Sequence, residues 1–300
     1  MLLPLLLAVL LLGLQPSSAQ VAPLGSLGSP GEPLEIVSEE GFELFQERQL
    51  VIAKGNVVVR QGETELRADL LSASYRDEDG SRAIHRLDAV GNVRIATEKE
   101  KMYGEHATYD LERELFLLTG GNLRIEGQDQ TISASKSLEY WGNEDRAVAR
   151  GDATAIQHAD DMTLRAEVIE AQLGPRKGTE SPASKSSPDK LALNELRAWG
   201  GVTITTPNEI VQGERGVYNA SKNLATLEGG VRITRGKNQL NGERAIVDLE
   251  KGVSKLVSAP GQQVQSIFYP GSEASAPSGR PEERSQDHTV VPRPRPVDAP

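Results

Sequence analysis

The stretch "TLEGGVRITRG", residues 226–236, decides the fold because the chain repeats it. A Gly-Gly pair is followed by two apolar residues that flank an arginine, Val231-Arg232-Ile233. Such alternation is the period of a β-strand with one buried face. The related phrases are "AKGNVVVRQ" (53–61), "AVGNVRIAT" (89–97), "LTGGNLRIEG" (119–127), "ARGDATAIQ" (149–157) and "AWGGVTITT" (198–206).

The glycines of these phrases define a repeat of 30 residues, with spacings of 36, 30, 30, 49 and 30. They are Gly55, Gly91, Gly121, Gly151, Gly200 and Gly230. The two longer spacings contain the polar segments "RDEDGSR" (76–82) and "GPRKGTESPASKSSPDK" (174–190). Neither has apolar periodicity, so we interpret both as loop insertions in a repeat protein.

A second signal recurs in every repeat, a small residue that five times precedes an acid. The small residues are Ala68, Gly104, Ala134, Ala166, Gly213 and Gly242, and the acids are Asp69, Glu105, Glu167, Glu214 and Glu243. Small residues weaken a strand, so we predict that the strand bends there or that the facing sheet or a ligand comes close. The acids are expected on the outward face.

Each repeat predicts about two strands, with tight turns at the Gly-Gly, Gly-Asn and Gly-Asp pairs. The fold class is therefore all-β, an elongated antiparallel domain of roughly 14 to 16 strands over residues 34–269.

The two ends of the chain differ from the repeats. Residues 1–19 are leucine-rich and end in Ser17-Ser18-Ala19, which predicts a cleaved signal peptide, with an uncleaved anchor as the alternative. A flexible leader is expected over 20–33. Residues 270–300 are rich in proline, which predicts a disordered tail.

Composition excludes several classes of function. The net charge of −10 argues against a nucleic-acid partner, and the absence of cysteine excludes disulfides. We found no nucleophile triad, phosphate-binding glycine loop or metal-ligand spacing, so no catalytic residue, metal or cofactor is predicted. The four histidines occupy unrelated positions in the repeat.

Units such as "GNVRI…MYGEHATYD…LFLLTGGNLRI" resemble the OstA-like (LptA) family of periplasmic lipopolysaccharide-transport proteins. The resemblance spans about residues 34–269 and implies an open β-jellyroll whose apolar groove receives the acyl chains of lipid A. It also implies a periplasmic bridge with an LptC-like inner-membrane partner, an LptD-like outer-membrane partner and head-to-tail self-association. An LptC-like anchored protein, or a structural β-repeat protein without lipid, stays open as an alternative.

Repeat phase places a set of apolar residues in the lipid groove implied by the resemblance. They are Val57, Val59, Val93, Ile95, Leu123, Ile125, Ile156, Val202, Ile204, Val231 and Ile233. For each of them, an ordinary position in the hydrophobic core is as good an interpretation as a contact with lipid. The intervening arginines Arg94, Arg124 and Arg232 are expected on the opposite face, because neighbouring residues of a strand point to opposite sides.

Overall fold

A computed structural model describes residues 33–269, apart from 79–80, 176–190, 249, 252, 260, 262 and 268. The predicted signal peptide, the leader up to residue 32, nearly all of the 174–190 insertion and the 270–300 tail lie outside the described residues. Gly174 and Pro175, which we had assigned to the insertion, belong to a strand.

The described residues form one antiparallel sheet of 18 strands. The strands are β1 (Glu35–Val37), β2 (Phe42–Phe45), β3 (Leu50–Gln61), β4 (Thr64–Glu78), β5 (Ser81–Ala96), β6 (Glu100–Asp110), β7 (Leu115–Thr119), β8 (Leu123–Gly127), β9 (Gln130–Ala134), β10 (Ser137–Trp141), β11 (Arg146–Gln157), β12 (Met162–Pro175), β13 (Leu191–Thr205), β14 (Ile210–Asn219), β15 (Leu224–Arg235), β16 (Asn238–Asp248), β17 (Val253–Val257) and β18 (Gln265–Ile267). The helical content of the described part is a single 3-10 turn at Gly142–Glu144.

We expected the repeat glycines to form tight turns that reverse the chain. Instead, the chain keeps its direction through them. Gly91 and Asn92 have φ values of 80° and 47°, and both lie inside β5. There the register shifts between Val90 and Val93, which is a β-bulge. Equivalent shifts interrupt β3, β11, β13 and β15. Positive φ was thus the correct expectation, but its consequence is a bend within a strand.

The bulges divide the sheet into two layers that we call the first and second arms. Residues before the bulge of β3 pair with β2, whereas residues after it pair with β1. The same division places β7, β10 and β17 in the first arm and β8, β9 and β18 in the second. The long strands contribute one half to each arm.

This division explains the number of strands. Four pairs, β1/β2, β7/β8, β9/β10 and β17/β18, are the separated halves of bent strands. Counting each pair once gives fourteen strands, within the predicted range.

The segment 76–82 differs from our expectation of a loop. Because β4 ends only at Glu78 and β5 begins at Ser81, the segment lengthens a hairpin.

The small residue of each repeat lies directly across from the bulge. Gly213 pairs with Val202, the first paired residue after the bulge of β13. A Cβ atom on Gly213 would lie 2.8 Å from Cγ of Leu227 on the next strand. Gly104 faces Leu118 and Gly242 faces Leu256 in the same way. The neighbouring strand therefore explains the three glycines. The small residues also lie where the pairing divides between the two arms, as expected for a bend.

The side chain of the acid after the small residue lies against the bulge of the following strand. A Cβ atom on Gly229 would lie 2.6 Å from Cβ of Glu214, and Asn92 donates a hydrogen bond of 2.9 Å to Oδ2 of Asp69. All five acids are exposed, as predicted for the outward face.

We expect Gly213→Val to destabilise the protein by about 1–3 kcal/mol, because the added side chain overlaps Leu227. Gly174→Val is the matched control, since its Cβ would make an ordinary contact of 3.8 Å with Asn194. Urea unfolding measures both free energies. Equal losses in the two variants would contradict this explanation of the small residue.

Candidate apolar groove

The space between the two arms holds the hydrophobic core. All the predicted groove residues except Ile156 belong to it, either fully buried or packed against it. Arg94 and Arg232 are exposed, as expected for the outer face. Arg124 lies there too, 2.6 Å from Glu126 and 4.0 Å above the ring of Tyr103. The repeat phase therefore separates the two faces correctly in most strands.

The assignment of Ile156 was wrong. In β11 the buried residue after the bulge is Ala153, and Ala155 packs against the core. Ile156 alternates with them and so points to the outer face. Ile156 is the larger apolar residue of this strand, whereas the interior is lined by the alanines.

Two cavities lie between the arms. One, of about 80 Å³, is enclosed by second-arm residues such as Ile204 and Ile233 and by first-arm residues such as Ala198 and Tyr218. The other, of about 120 Å³, is lined by Ile125 on the second arm among others. A cavity of about 150 Å³ with apolar walls binds benzene. Each therefore has room for a short apolar group, and a long acyl chain requires the arms to separate.

The predicted groove residues of the first two repeats lie apart from these two cavities. Val57, Val59, Val93 and Ile95 are at most 1% exposed and line neither of the two larger cavities. A cavity of about 10 Å³ lies among first-arm residues such as Leu71 and Leu87. The two larger of these three cavities, all lined by described residues, therefore lie in the third to sixth repeats.

The edge of the second arm is formed by hairpin ends, and we call it the second lip. Four positions before each small residue, one side chain points inward at this lip. The six residues are Thr64, Glu100, Gln130, Met162, Glu209 and Asn238. Our sequence reasoning missed them, although counting back from the small residue identifies the position.

Glu100 and Glu209 are the two acids among these six residues. They are only 7% and 5% exposed, and Oε2 of each is buried without a hydrogen-bond partner among the described residues. Burial raises the pKa of Glu100 to about 7, although the charge of Lys99 lowers it. Burial likewise raises the pKa of Glu209 to about 7, against the opposing effect of Arg235. Both carboxyls are thus substantially protonated at neutral pH.

The facing edge of the first arm, the first lip, carries tyrosines. Tyr75 and Tyr218 are buried, and Tyr109 and Tyr140 pack against the core. Burial raises the pKa of Tyr140 to about 12, and the carboxylates of Asp145 and Glu114 add to the shift. The Tyr140 hydroxyl therefore stays protonated near pH 7.

Among the described residues, no helix is long and apolar enough to cross a membrane. Nor do three or more His, Asp or Glu side chains gather there as metal ligands.

Bent strands, two arms and an apolar interior define an open antiparallel β-jellyroll with a groove between its arms. A family model described as LptA/(LptD N-terminal domain) LPS transport protein matches residues 35–146 and 134–253. The chain belongs to this family of lipopolysaccharide-transport proteins, because the matches cover most of it. The first match contains three of the repeat glycines and the second match the other three.

Two individual proteins are also similar to the chain. The LPS-assembly protein LptD of Sodalis glossinidius is 26% identical over 153 residues, which are 50% of this chain and 19% of that protein. The chain thus matches only a small part of this relative. The crystal structure of LptH, the LptA-homologous periplasmic component of the lipopolysaccharide-transport device of Pseudomonas aeruginosa, is 12% identical. The match covers 80% of this chain and 96% of LptH, with a TM-score of 0.19.

Proposed function

We propose that the chain carries lipopolysaccharide through the periplasm, with the acyl chains in the groove between its arms. The single observation behind this is that apolar residues from both arms enclose unfilled space in a member of a lipopolysaccharide-transport family. Each CH₂ moved from water into such an interior is stabilised by about 0.8 kcal/mol. Separation of the arms at the lips would admit whole chains while the bulges keep the strands joined.

The proposal includes transfer from an LptC-like inner-membrane protein to an LptD-like outer-membrane protein. Among the described strands, β1 and β2 pair only with β3, and β17 and β18 pair only with β16, so the described sheet is open at both edges. Open edges present backbone groups that can pair with another sheet. A partner domain or a second copy could extend the sheet and continue the groove.

Crosslinking in cells tests the lipid path. We expect a photoreactive residue at Ile204 or Ile233 to give an ultraviolet-dependent adduct with lipopolysaccharide, because both side chains line a cavity. Ile156 is the matched control, since it is also an isoleucine beyond a bulge but points outward. The absence of adducts at both Ile204 and Ile233 in a folded, exported protein would favour a structural β-repeat role.

A further inference from the structure

The unpaired carboxyls of Glu100 and Glu209 occupy matching places in two hairpins. In each hairpin a threonine three residues earlier makes the same turn. The N–H of Thr97 donates to the carbonyl of Glu100 at 2.9 Å, and that of Thr206 to the carbonyl of Glu209 at 3.0 Å. The hydroxyl of each threonine accepts a bond from the N–H of its glutamate, at 3.1 and 3.2 Å. The turns are thus held without the carboxyl groups.

Folding does not require an acid at this position. Met162 occupies the same position in the fourth repeat, so the lip accommodates an apolar side chain of similar length. A buried polar group without a partner lowers the stability of the folded state. The two acids therefore lower stability in the closed form, and a contact made only in another state of the groove would explain them.

Each of the two glutamates is connected to one of the two cavities through its own strand and the pairing of that strand. Val211, two residues after Glu209, lines the smaller cavity. Glu100 precedes Met102 by two residues, and Met102 pairs across the strands with Ile125 of the larger cavity. A chain that enters either cavity through the lips would bring its polar end close to one of these acids.

The two positions are far apart along the groove. Six strand-to-strand steps of the second arm separate β6 from β14, through β8, β9, β11, β12 and β13. At about 4.8 Å a step, the two acids are roughly 30 Å apart. One lies in each of the segments that match the family model, 35–146 and 134–253. They therefore belong to two separate sites.

We propose that Glu100 and Glu209 accept hydrogen bonds from hydroxyl or amide N–H groups at the junction of acyl chains and headgroup, one site in each half of the groove. This inference rests on the proposed lipid-carrying function and adds to it where the polar end of the lipid binds. At the first lip, β6 and β14 end near Tyr109 and Tyr218, whose rings present apolar faces.

Two neutral probes with the same dodecyl chain test the proposal. Dodecyl maltoside has hydroxyl donors in its headgroup, whereas a dodecyl polyoxyethylene ether with a methylated end has acceptors only. Calorimetric titration of the full chain, below the micelle concentration, measures both dissociation constants. We expect the maltoside to bind about ten-fold more tightly to the wild type, the size of one good hydrogen bond to a carboxyl group.

The preference should disappear in the double variant Glu100→Met/Glu209→Met and remain in Glu100→Gln/Glu209→Gln, since an amide oxygen still accepts. Glu63→Met is the matched control, because Glu63 lies at the same lip but is exposed. An unchanged or higher melting temperature of the methionine variant excludes misfolding as the cause.

Three outcomes would overturn the proposal. If the wild type binds both probes equally, the acids recognise no donor, yet the lipid groove itself still stands. If the methionine variant keeps the preference, another group provides it. If neither probe binds, the apolar groove fails as a ligand site, and the proposed function fails with it.

Discussion

The methionine variant Glu100→Met/Glu209→Met should be more stable than the wild type at pH 8, by on the order of 3 kcal/mol for each carboxyl replaced. The pKa of each group rises from 4.5 in the unfolded chain to about 7 in the folded protein. Between these values the folded state binds more protons than the unfolded state. The wild type therefore loses stability as the pH rises from about 4.5 to 7, and the loss is complete above 7.

Urea unfolding at pH 5 and pH 8 checks this expectation. The difference in the free energy of unfolding between variant and wild type should be large at pH 8 and small at pH 5. Comparing the two proteins at each pH cancels the contribution of the other titrating groups. Glu63→Met should follow the wild type at both values. A difference that does not change with pH would mean that the two carboxyls are ionised or hydrogen-bonded in the folded protein.

The proposed head-to-tail self-association should weaken about a hundred-fold in the variant Phe42→Glu/Leu44→Glu. Both residues lie on the edge strand β2 and are 53% and 48% exposed. They pair with Ala53 and Val51 of β3, so they extend the inner face to the open end of the groove. Each new carboxylate buried there without a partner should cost at least about 1.4 kcal/mol, or ten-fold in affinity.

Sedimentation velocity over a range of concentrations measures this self-association. Val90→Glu is the control, because Val90 is also exposed but lies on the central strand β5. Oligomers that persist unchanged in the β2 variant would show that a different surface joins the copies.

The architecture was largely predictable because the repeat carries two signals in phase. Alternation such as Val231-Arg232-Ile233 identifies the strands, and the small residue marks where each strand bends. The role of the glycine pairs was not predictable from composition alone. Gly91-Asn92 has the residue types of a hairpin turn, and positive φ serves a reversal and a bulge equally well. Only the pairing of β5 on both sides of the bulge distinguishes the two.

The groove was predictable to the extent that alternation is regular. Large side chains such as Val202 and Ile204 were placed on the correct face, whereas Ile156 was placed on the wrong face because its strand is lined by Ala153 and Ala155.

The acids at the second lip were missed for a different reason. A glutamate beside a polar turn is normally solvated, and nothing in the sequence around Glu100 or Glu209 indicates burial until the repeats are aligned on the small residue.

The bulge that bends each strand also makes this protein extensible. Every repeat adds two strands at a spacing of about 4.8 Å, so one duplication lengthens the channel by about 10 Å and leaves its cross-section unchanged. The number of repeats therefore sets the length of the groove. Copying or deleting a single unit changes that length in steps of about 10 Å and leaves the two arms as they are.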